Sequence, residues 1–370
     1  MPLSRQDTVD ETALLSLAGP DRTAYPLPGA TVVLGAAGTV ILAEAGDDPE
    51  AACVWNHHEF RLLGPAPDPV GARFGIGCGC RPLDGYDLPV HLAVRLGPGR
   101  LLYVGVLRKA TAHGSNRTML SCTLRFDPPL SDEILALVRP PSTGSVPPLP
   151  GMDWLDHVDT DPCRALELFV TDWYPTGPVT EPPPEPPRSV PPVLRVFHRL
   201  AARHPGLLGR QNYLRRPEDY RVVESGDRLV IGDENQGCWH WSIPWEPDAT
   251  GTDPTVWHTR EVDAPTAEPE PLSRFLLHFA LYEAPVGPYV AWGSGPTAEV
   301  LPRLKGLLRR VPLRSFHSPS MPSELHVAPG VVAHTPAASV PAGGFHVTAR
   351  HRSLLRPFAD IGLTWGRFDG

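Results

Sequence analysis

Residues 229–257 read Leu-Val-Ile-Gly-Asp-Glu-Asn-Gln-Gly-Cys-Trp-His-Trp-Ser-Ile-Pro-Trp-Glu-Pro-Asp-Ala-Thr-Gly-Thr-Asp-Pro-Thr-Val-Trp, and they hold four of the nine tryptophans. An apolar run leads into a polar turn where Gly237 can adopt a positive φ, and an aromatic run follows. Because side chains alternate along a strand, Trp239 and Trp241 should project from one face and His240 from the other. The stretch predicts two strands joined by a tight connection.

The rest of the second half predicts helices beside antiparallel strands. Leu194, Phe197 and Leu200 recur at helical spacing, and His204-Pro205-Gly206 ends the helix that they predict. The other predicted elements of this half are strands at 228–232, 238–243 and 345–350 and helices at 273–283 and 298–310. Helices segregated from antiparallel strands favour an α+β fold over repeated βαβ units.

Six landmarks in this half follow one another in a fixed order. They are Pro192–His198, Arg216–Tyr220, Glu234–Gly237, Trp239–Trp241, Asp253–Trp257 and Leu272–Leu277. In this order they resemble the SMI1/KNR4 (SUKH) superfamily, whose bacterial members include immunity proteins of toxin systems. The resemblance covers about residues 190–370. It implies an SMI1/KNR4-like domain, with an antiparallel sheet and helices, that binds a partner protein such as a toxin domain. None of the landmarks is a catalytic signature.

The first half predicts a β-rich domain of unknown type. Two pairs of short apolar runs, at 31–34 with 39–42 and at 91–96 with 101–106, each flank a glycine-containing turn, as in β-hairpins. A further strand is predicted at 118–126. Short helices are predicted after Ser131, which can cap the first of them, and from 163 to 173.

The length of 370 residues favours two domains. A proline-rich segment at 175–192 lacks the backbone N–H groups that a helix or sheet needs, and favours an extended spacer. We therefore expect a β-rich domain at 1–174, a linker at 175–192 and the SMI1/KNR4-like domain at 193–370. The alternative is a long surface crossover within one domain.

Composition excludes some classes of protein and partner. A formal net charge of -8 argues against a nonspecific nucleic-acid binder and would suit a basic partner. No segment approaches the roughly 18 apolar residues of a membrane helix, and the amino terminus lacks the apolar core of a signal peptide. Six cysteines are too sparse for a disulfide scaffold. We expect a cytoplasmic protein without membrane association or cofactor.

The residues expected to bind the partner are the acidic turn and the tryptophans beside it. Large aromatic side chains serve equally as core residues or as interface anchors, and the sequence leaves both roles open for Trp239 and Trp241. Because immunity proteins of this superfamily are often single domains, a two-domain regulatory adaptor is the nearest variant. The predicted set is Asp233, Glu234, Asn235, Gln236, Trp239, Trp241, Trp245 and Trp257.

A rival hypothesis places a metal-dependent hydrolase in the first half. Imidazole, carboxylate and thiol groups there could satisfy a tetrahedral zinc ion. Adjacent histidines in a strand, however, would face opposite sides, and Cys-x-Cys lacks the usual zinc-knuckle spacing, which favours ordinary strand residues. A third hypothesis is a small-molecule pocket between the domains. The rival site residues are His57, His58, Glu59, Cys78 and Cys80.

Overall fold

The computed structural model has an α+β architecture and divides into two compact units, each with its own core. Unit 1 comprises Met1–Ser145 with Asp369, and unit 2 comprises Val146–Phe368 with Gly370. The structure describes residues 8–27, 29–46, 53–75, 88–115, 118–139, 148–177, 190–209, 211–245, 253–260, 263–284, 286–287, 289–293, 299–316, 323–336, 344–359, 361–363 and 365–370.

Unit 1 is built on a sheet to which nine strands contribute within the described residues, in the order β2-β3-β4-β7-β8-β9-β6-β5, with β1 paired to β8. The strands are β1 Thr8–Val9, β2 Thr23–Leu27, β3 Ala30–Leu34, β4 Thr39–Glu44, β5 Cys53–Trp55, β6 Glu59–Ala66, β7 Val90–Gly97, β8 Arg100–Ser115 and β9 Thr118–Arg125. The helices are α1 Glu11–Ser16, α2 Asp68–Arg73 and α3 Asp132–Val138.

Local sequence signals explain most of unit 1. Both predicted hairpins, β3 with β4 and β7 with β8, form antiparallel pairs, and Ser131 caps α3 through a hydrogen bond from the Ile134 N–H. Strand β8 is long enough to pair with β7 along its first part and with β9 along its second. Strands β4 and β7 pair in parallel, which the hairpin signals do not predict. The chain between β4 and β7 includes β5, β6 and α2. This connection therefore contains the antiparallel pair of β5 and β6.

Unit 2 combines helices with two antiparallel sheets, ordered β10-β12-β13-β14-β15, with β11 beside β12, and β17-β18-β19-β20-β16-β21 in the described residues. The helices are α4 Pro162–Trp173, α5 Pro192–Arg203, α6 Leu272–Tyr282 and α7 Val300–Gly306. The strands are β10 Asn212–Leu214, β11 Arg221–Val222, β12 Arg228–Glu234, β13 Trp239–Pro244, β14 Thr255–Arg260, β15 Thr266–Pro271, β16 Tyr289–Gly293, β17 Arg309–Arg310, β18 Ser323–Ala328, β19 Val331–Pro336, β20 Phe345–Ala349 and β21 Arg367–Phe368.

The first sheet of unit 2 packs one face against helix α6. That face carries Trp241, whose ring centroid lies 5.6 Å from the ring of Phe275 and 6.3 Å from that of Phe279. We call this the core face of the sheet and the opposite side its outer face. Helix α6 is buried along almost its whole length, which explains why its sequence is apolar all round.

The division between the units differs from the expected linker at 175–192. Helix α4 was expected in the first domain, but its rings belong to the core of unit 2. Phe169 lies 5.0 Å from Trp154 and 5.3 Å from Trp173, and the Tyr174 hydroxyl donates to the carbonyl of Ala280 in α6 at 2.6 Å. The proline-rich segment therefore lies within unit 2 and not between the units. The helices on both sides of it, α4 and α5, pack into the same core. Residues 178–189 lie outside the described residues.

Two histidines of unit 2 are buried among apolar groups. His198 on α5 hydrogen-bonds with the hydroxyl of Tyr220, and His278 on α6 stacks on Phe316 with ring centroids 3.8 Å apart. Burial lowers the pKa of His198 to about 4 and that of His278 to about 3. Both rings are therefore neutral in the folded chain at neutral pH.

These histidines predict acid sensitivity. Their pKa values in the folded state lie below 6.5, so the unfolded chain binds more protons as the pH falls from about 6.5 towards 4. Each should cost up to about 1.4 kcal/mol of unfolding free energy per pH unit in that window. In urea titrations, His278→Phe should have a shallower loss of stability on acidification than the wild type. Parallel pH profiles for the two proteins between pH 7 and 4.5 would contradict this prediction.

Candidate functional site

The acidic turn forms the tight connection between β12 and β13, as expected. Gly237 takes a φ of +73°, and the Glu234 carboxylate accepts hydrogen bonds from the backbone N–H groups of Gln236 at 2.9 Å and Cys238 at 3.1 Å. Glu234 is buried, whereas Asn235 and Gln236 are exposed. Glu234 thus stabilises the turn and does not belong to an open acidic surface.

Asp233 also departs from the expected role. Its carboxylate forms ion pairs with Arg215 and, at 3.9 Å, with Arg221. Both carboxylates of the turn that the sequence assigns to partner binding are therefore engaged within the fold. The residues that surround Asp233 make this part of the sheet rich in arginine.

Three of the four tryptophans in the opening stretch belong to the core face. Trp241 is 1% exposed, and its indole N–H donates to Glu268 Oε1 at 2.8 Å. Trp239 lies edge-on to Trp241 with ring centroids 6.3 Å apart, and Trp239 and Trp245 are partly buried against the helical core. The expected shared face for Trp239 and Trp241 is confirmed, and that face points inward.

Trp257 lies on the outer face, and the strand register shows its neighbours. It pairs across the strands with Ser242 on β13 and with Ala267 on β15. On the other side Ser242 pairs with Val230, and Val230 with Arg221. Residues paired in an antiparallel sheet share a face, so this row crosses five strands on the outer face.

A second row runs parallel to the first. Tyr213 pairs with Asp233, Asp233 with His240, and His240 with Thr259. A register shift between Val230 and Gly232 keeps the two rows on one face, since the extra residue resets the alternation of β12. Tyr213 is 47% exposed at the edge of this row. Arg228 also lies on this face, paired with Pro244.

Several polar atoms on this face have no hydrogen-bond partner within the described residues. They are His240 Nε2, Ser242 Oγ, Thr259 Oγ1 and Arg228 Nη1, and all four atoms are buried. The pKa of His240 is lowered, first by burial and then by the nearby Arg221, with Arg228 and Arg215 adding to the effect and Asp233 opposing it. The outer face therefore combines unsatisfied polar groups with excess positive charge.

The rival metal site is only partly described. His57 and His58 lie in the turn between β5 and β6, not in a strand as expected, because Asn56 Oδ1 accepts from the N–H groups of His58 and Glu59. His57 Nδ1 contacts the carbonyl of Leu130 at 3.1 Å, and Glu59 pairs with Arg125 at 3.6 Å. His58 is exposed. Cys78 and Cys80 lie outside the described residues.

The sequence predicts only part of the outer face: it names Asp233 and Trp257 as partner-binding residues and places His240 opposite Trp239 and Trp241. Strands β13 and β14 alternate aromatic with polar residues, so Ser242 and Thr259 could also have been placed opposite the core tryptophans by strand periodicity alone. The position of Arg221 and Tyr213 beside them depends on pairing between strands that the sequence does not reveal.

In comparisons with known proteins, no family model matches the chain, and neither a curated protein nor a solved structure matches it. Among the helices of the described residues, none has the length and apolar character required to cross a membrane. In the same residues, no group of three or more His, Cys, Asp or Glu side chains is arranged to hold a metal ion.

The two faces predict different costs for truncating their tryptophans. Trp241→Ala should lower the free energy of unfolding by about 3 to 5 kcal/mol, because it opens a cavity beneath α6. Trp257→Ala should cost no more than about half of that, since Trp257 is partly exposed. Urea denaturation followed by circular dichroism measures both. Equal losses would show that the two indoles are buried alike.

The turn offers a matched pair of variants. Glu234→Ala should destabilise the chain by about 1 to 3 kcal/mol, because two backbone N–H groups lose their carboxylate acceptor. Asn235→Ala, at the exposed neighbouring position, should change stability by no more than about 0.5 kcal/mol. Thermal unfolding of both variants measures the difference. A Glu234→Ala variant as stable as Asn235→Ala would exclude the inferred structural role.

Proposed function

We propose that this chain is a non-enzymatic protein-binding module, and that the outer face of the β10–β15 sheet contacts the partner. The observation that carries the proposal is the pair of rows on that face. They place exposed Tyr213 and partly exposed Trp257 beside arginine and hydroxyl side chains. Tyrosine, tryptophan and arginine are the side chains that dominate the energetics of protein interfaces.

The kind of partner-binding role follows from the resemblance of residues 190–370 to the SMI1/KNR4 superfamily. That resemblance supports an SMI1/KNR4-like domain with an immunity-type or regulatory adaptor function, and a toxin domain is one partner that it implies. Occluding another protein needs shape and charge complementarity and no reactive group. Six cysteines in 370 residues support the cytoplasm as the site of this activity.

The test uses two tyrosines that differ in position. Tyr213 lies on the outer face and is 47% exposed, whereas Tyr282 at the end of α6 is 37% exposed. A partner captured from the source cells by the tagged full chain would be purified, and its affinity measured by titration calorimetry. Tyr213→Ala should weaken binding by about tenfold or more, because a partly exposed aromatic anchor is lost. Tyr282→Ala should leave the affinity within about twofold of wild type.

Thermal unfolding of both variants would first establish that they are folded. Two results would count against the proposal. One is a captured partner that binds the Tyr213→Ala variant as tightly as wild type. The other is a reaction catalysed by the purified chain that is lost when an ionisable residue is replaced.

A further inference from the structure

The outer face contains a set of polar atoms that the fold itself does not satisfy. His240 Nε2, Ser242 Oγ and Thr259 Oγ1 come from two adjacent strands, and each is buried without a partner in the part of the chain that the structure describes. Ser242 is 0% exposed. Buried polar groups in proteins are nearly always paired, so unsatisfied ones gathered on one face need a cause. A ligand group that pairs with them is such a cause, and because these atoms are buried in the free chain, its binding requires the side chains that cover them to move apart.

The register brings these atoms together. His240 pairs with Thr259 across β13 and β14, and Ser242 lies two residues along β13 on the same side. Arg228 Nη1, a fourth unpartnered atom, belongs to β12 on the same face. Hydroxyl, imidazole and guanidinium groups can all donate hydrogen bonds, whereas only the first two can also accept. The shared capacity of the set is therefore donation.

The arginines around these polar atoms favour a negatively charged ligand. Arg215, Arg221 and Arg228 all act on the His240 ring, and Asp233 acts on it in the opposite sense. Arg228 is also paired with Asp227 at 3.7 Å, so three arginines face two carboxylates here. Asp233 is already engaged by Arg215 and Arg221. Arg221 keeps 59% of its side chain exposed, so its guanidinium is accessible to an incoming group.

We propose that the outer face binds a carboxylate from an acidic segment of the protein partner, with Arg221 and Arg228 supplying charge and His240, Ser242 and Thr259 supplying hydrogen bonds. This inference rests on the proposed protein-binding function. A carboxylate accepts hydrogen bonds only, and arginine binds it through two parallel N–H groups, which matches the donors on this face. Tyr213 beside the arginines provides the apolar contact that a peptide segment, unlike a free ion, can use.

This partner differs from the basic one that the overall charge suggested. The net charge of -8 describes the whole chain, whereas recognition depends on the local field at the face that binds. Around His240 that field is positive. An acidic segment is complementary to it, and a basic segment is repelled.

The direct test titrates the full chain with a fluorescent twelve-residue peptide of alternating glutamate and serine. Peptides with glutamine or lysine in place of glutamate serve as controls. The acidic peptide should bind at least about tenfold more tightly than either control, because a charged hydrogen-bonded pair is worth about that factor. Arg221→Glu should abolish this preference, while Trp292→Ala, an exposed aromatic on the β16 strand of the other sheet, should retain it.

Thr259→Val separates a binding role from a structural one. It replaces an unpartnered hydroxyl with a methyl group of similar shape, so the thermal midpoint should stay the same or rise. The affinity for the acidic peptide should nevertheless fall by about fivefold or more. A lower midpoint together with unchanged affinity would show that Thr259 is a structural residue, and would overturn the assignment.

Other anions distinguish the source of the negative charge. Inorganic phosphate or a single-stranded oligonucleotide that binds more tightly than the acidic peptide, with the same dependence on Arg221, would overturn the inference of a protein segment. If the acidic peptide fails to bind while the cell-derived partner still requires Tyr213, the carboxylate inference falls and the proposed protein-binding function stands. If neither the acidic peptide nor the cell-derived partner binds through this face, the carboxylate inference and the proposed function are both wrong.

Discussion

The buried contact between Trp241 and helix α6 is the interaction on which the architecture of unit 2 depends. Its indole packs on Phe275 and Phe279, and its N–H donates to the buried carboxylate of Glu268 on β15. One side chain thus fixes β13, β15 and the helix with respect to one another. A large aromatic group contributes apolar area, and its single polar atom specifies orientation because an unpaired N–H in a core is costly.

A second set of polar contacts fixes the start of the same helix. The Asp253 carboxylate accepts from the backbone N–H of Ser273 at 2.7 Å and from its hydroxyl at 2.8 Å. It supplies the negative group that favours a helix amino terminus, although it lies twenty residues earlier in the chain. Nearby, Glu270 accepts from Arg274 at 2.8 Å and from the backbone N–H of Arg314 at 2.7 Å. The Glu270 carboxylate is buried, and its charge is matched by these hydrogen bonds.

Much of the fold could be predicted because it depends on local signals. The β12–β13 turn, the cap of α3, the apolar periodicity of α5 and the apolar run of α6 can all be predicted from neighbouring residues. The parallel pairing of β4 with β7 and the membership of α4 in unit 2 depend on contacts between distant segments. The sequence predicts that the adjacent His57 and His58 lie in a strand. They lie in a turn instead, because the Asn56 side chain accepts hydrogen bonds from the backbone N–H groups of His58 and Glu59. Proline density did not locate the boundary between the two cores.

The candidate site depends even more on contacts between distant segments, which the sequence does not show. Asp253, Glu234, Trp241 and Tyr220 belong to the six sequence landmarks. In the structure each makes an inward or backbone-directed contact that stabilises the fold.

Residues that stabilise a fold in this way can be recognised from the sequence. Each belongs to one helix, strand or turn, so they follow the order of those elements along the chain. A binding surface has no such order, because it is assembled across strands by register. The rows that bring Arg221 to Ser242 and Tyr213 to His240 exist only once β12 has its irregularity between Val230 and Gly232. A single residue more or less at that point would turn one row towards the core. The surface is therefore set by the pairing of the sheet, and the landmarks act on it by holding that pairing in place.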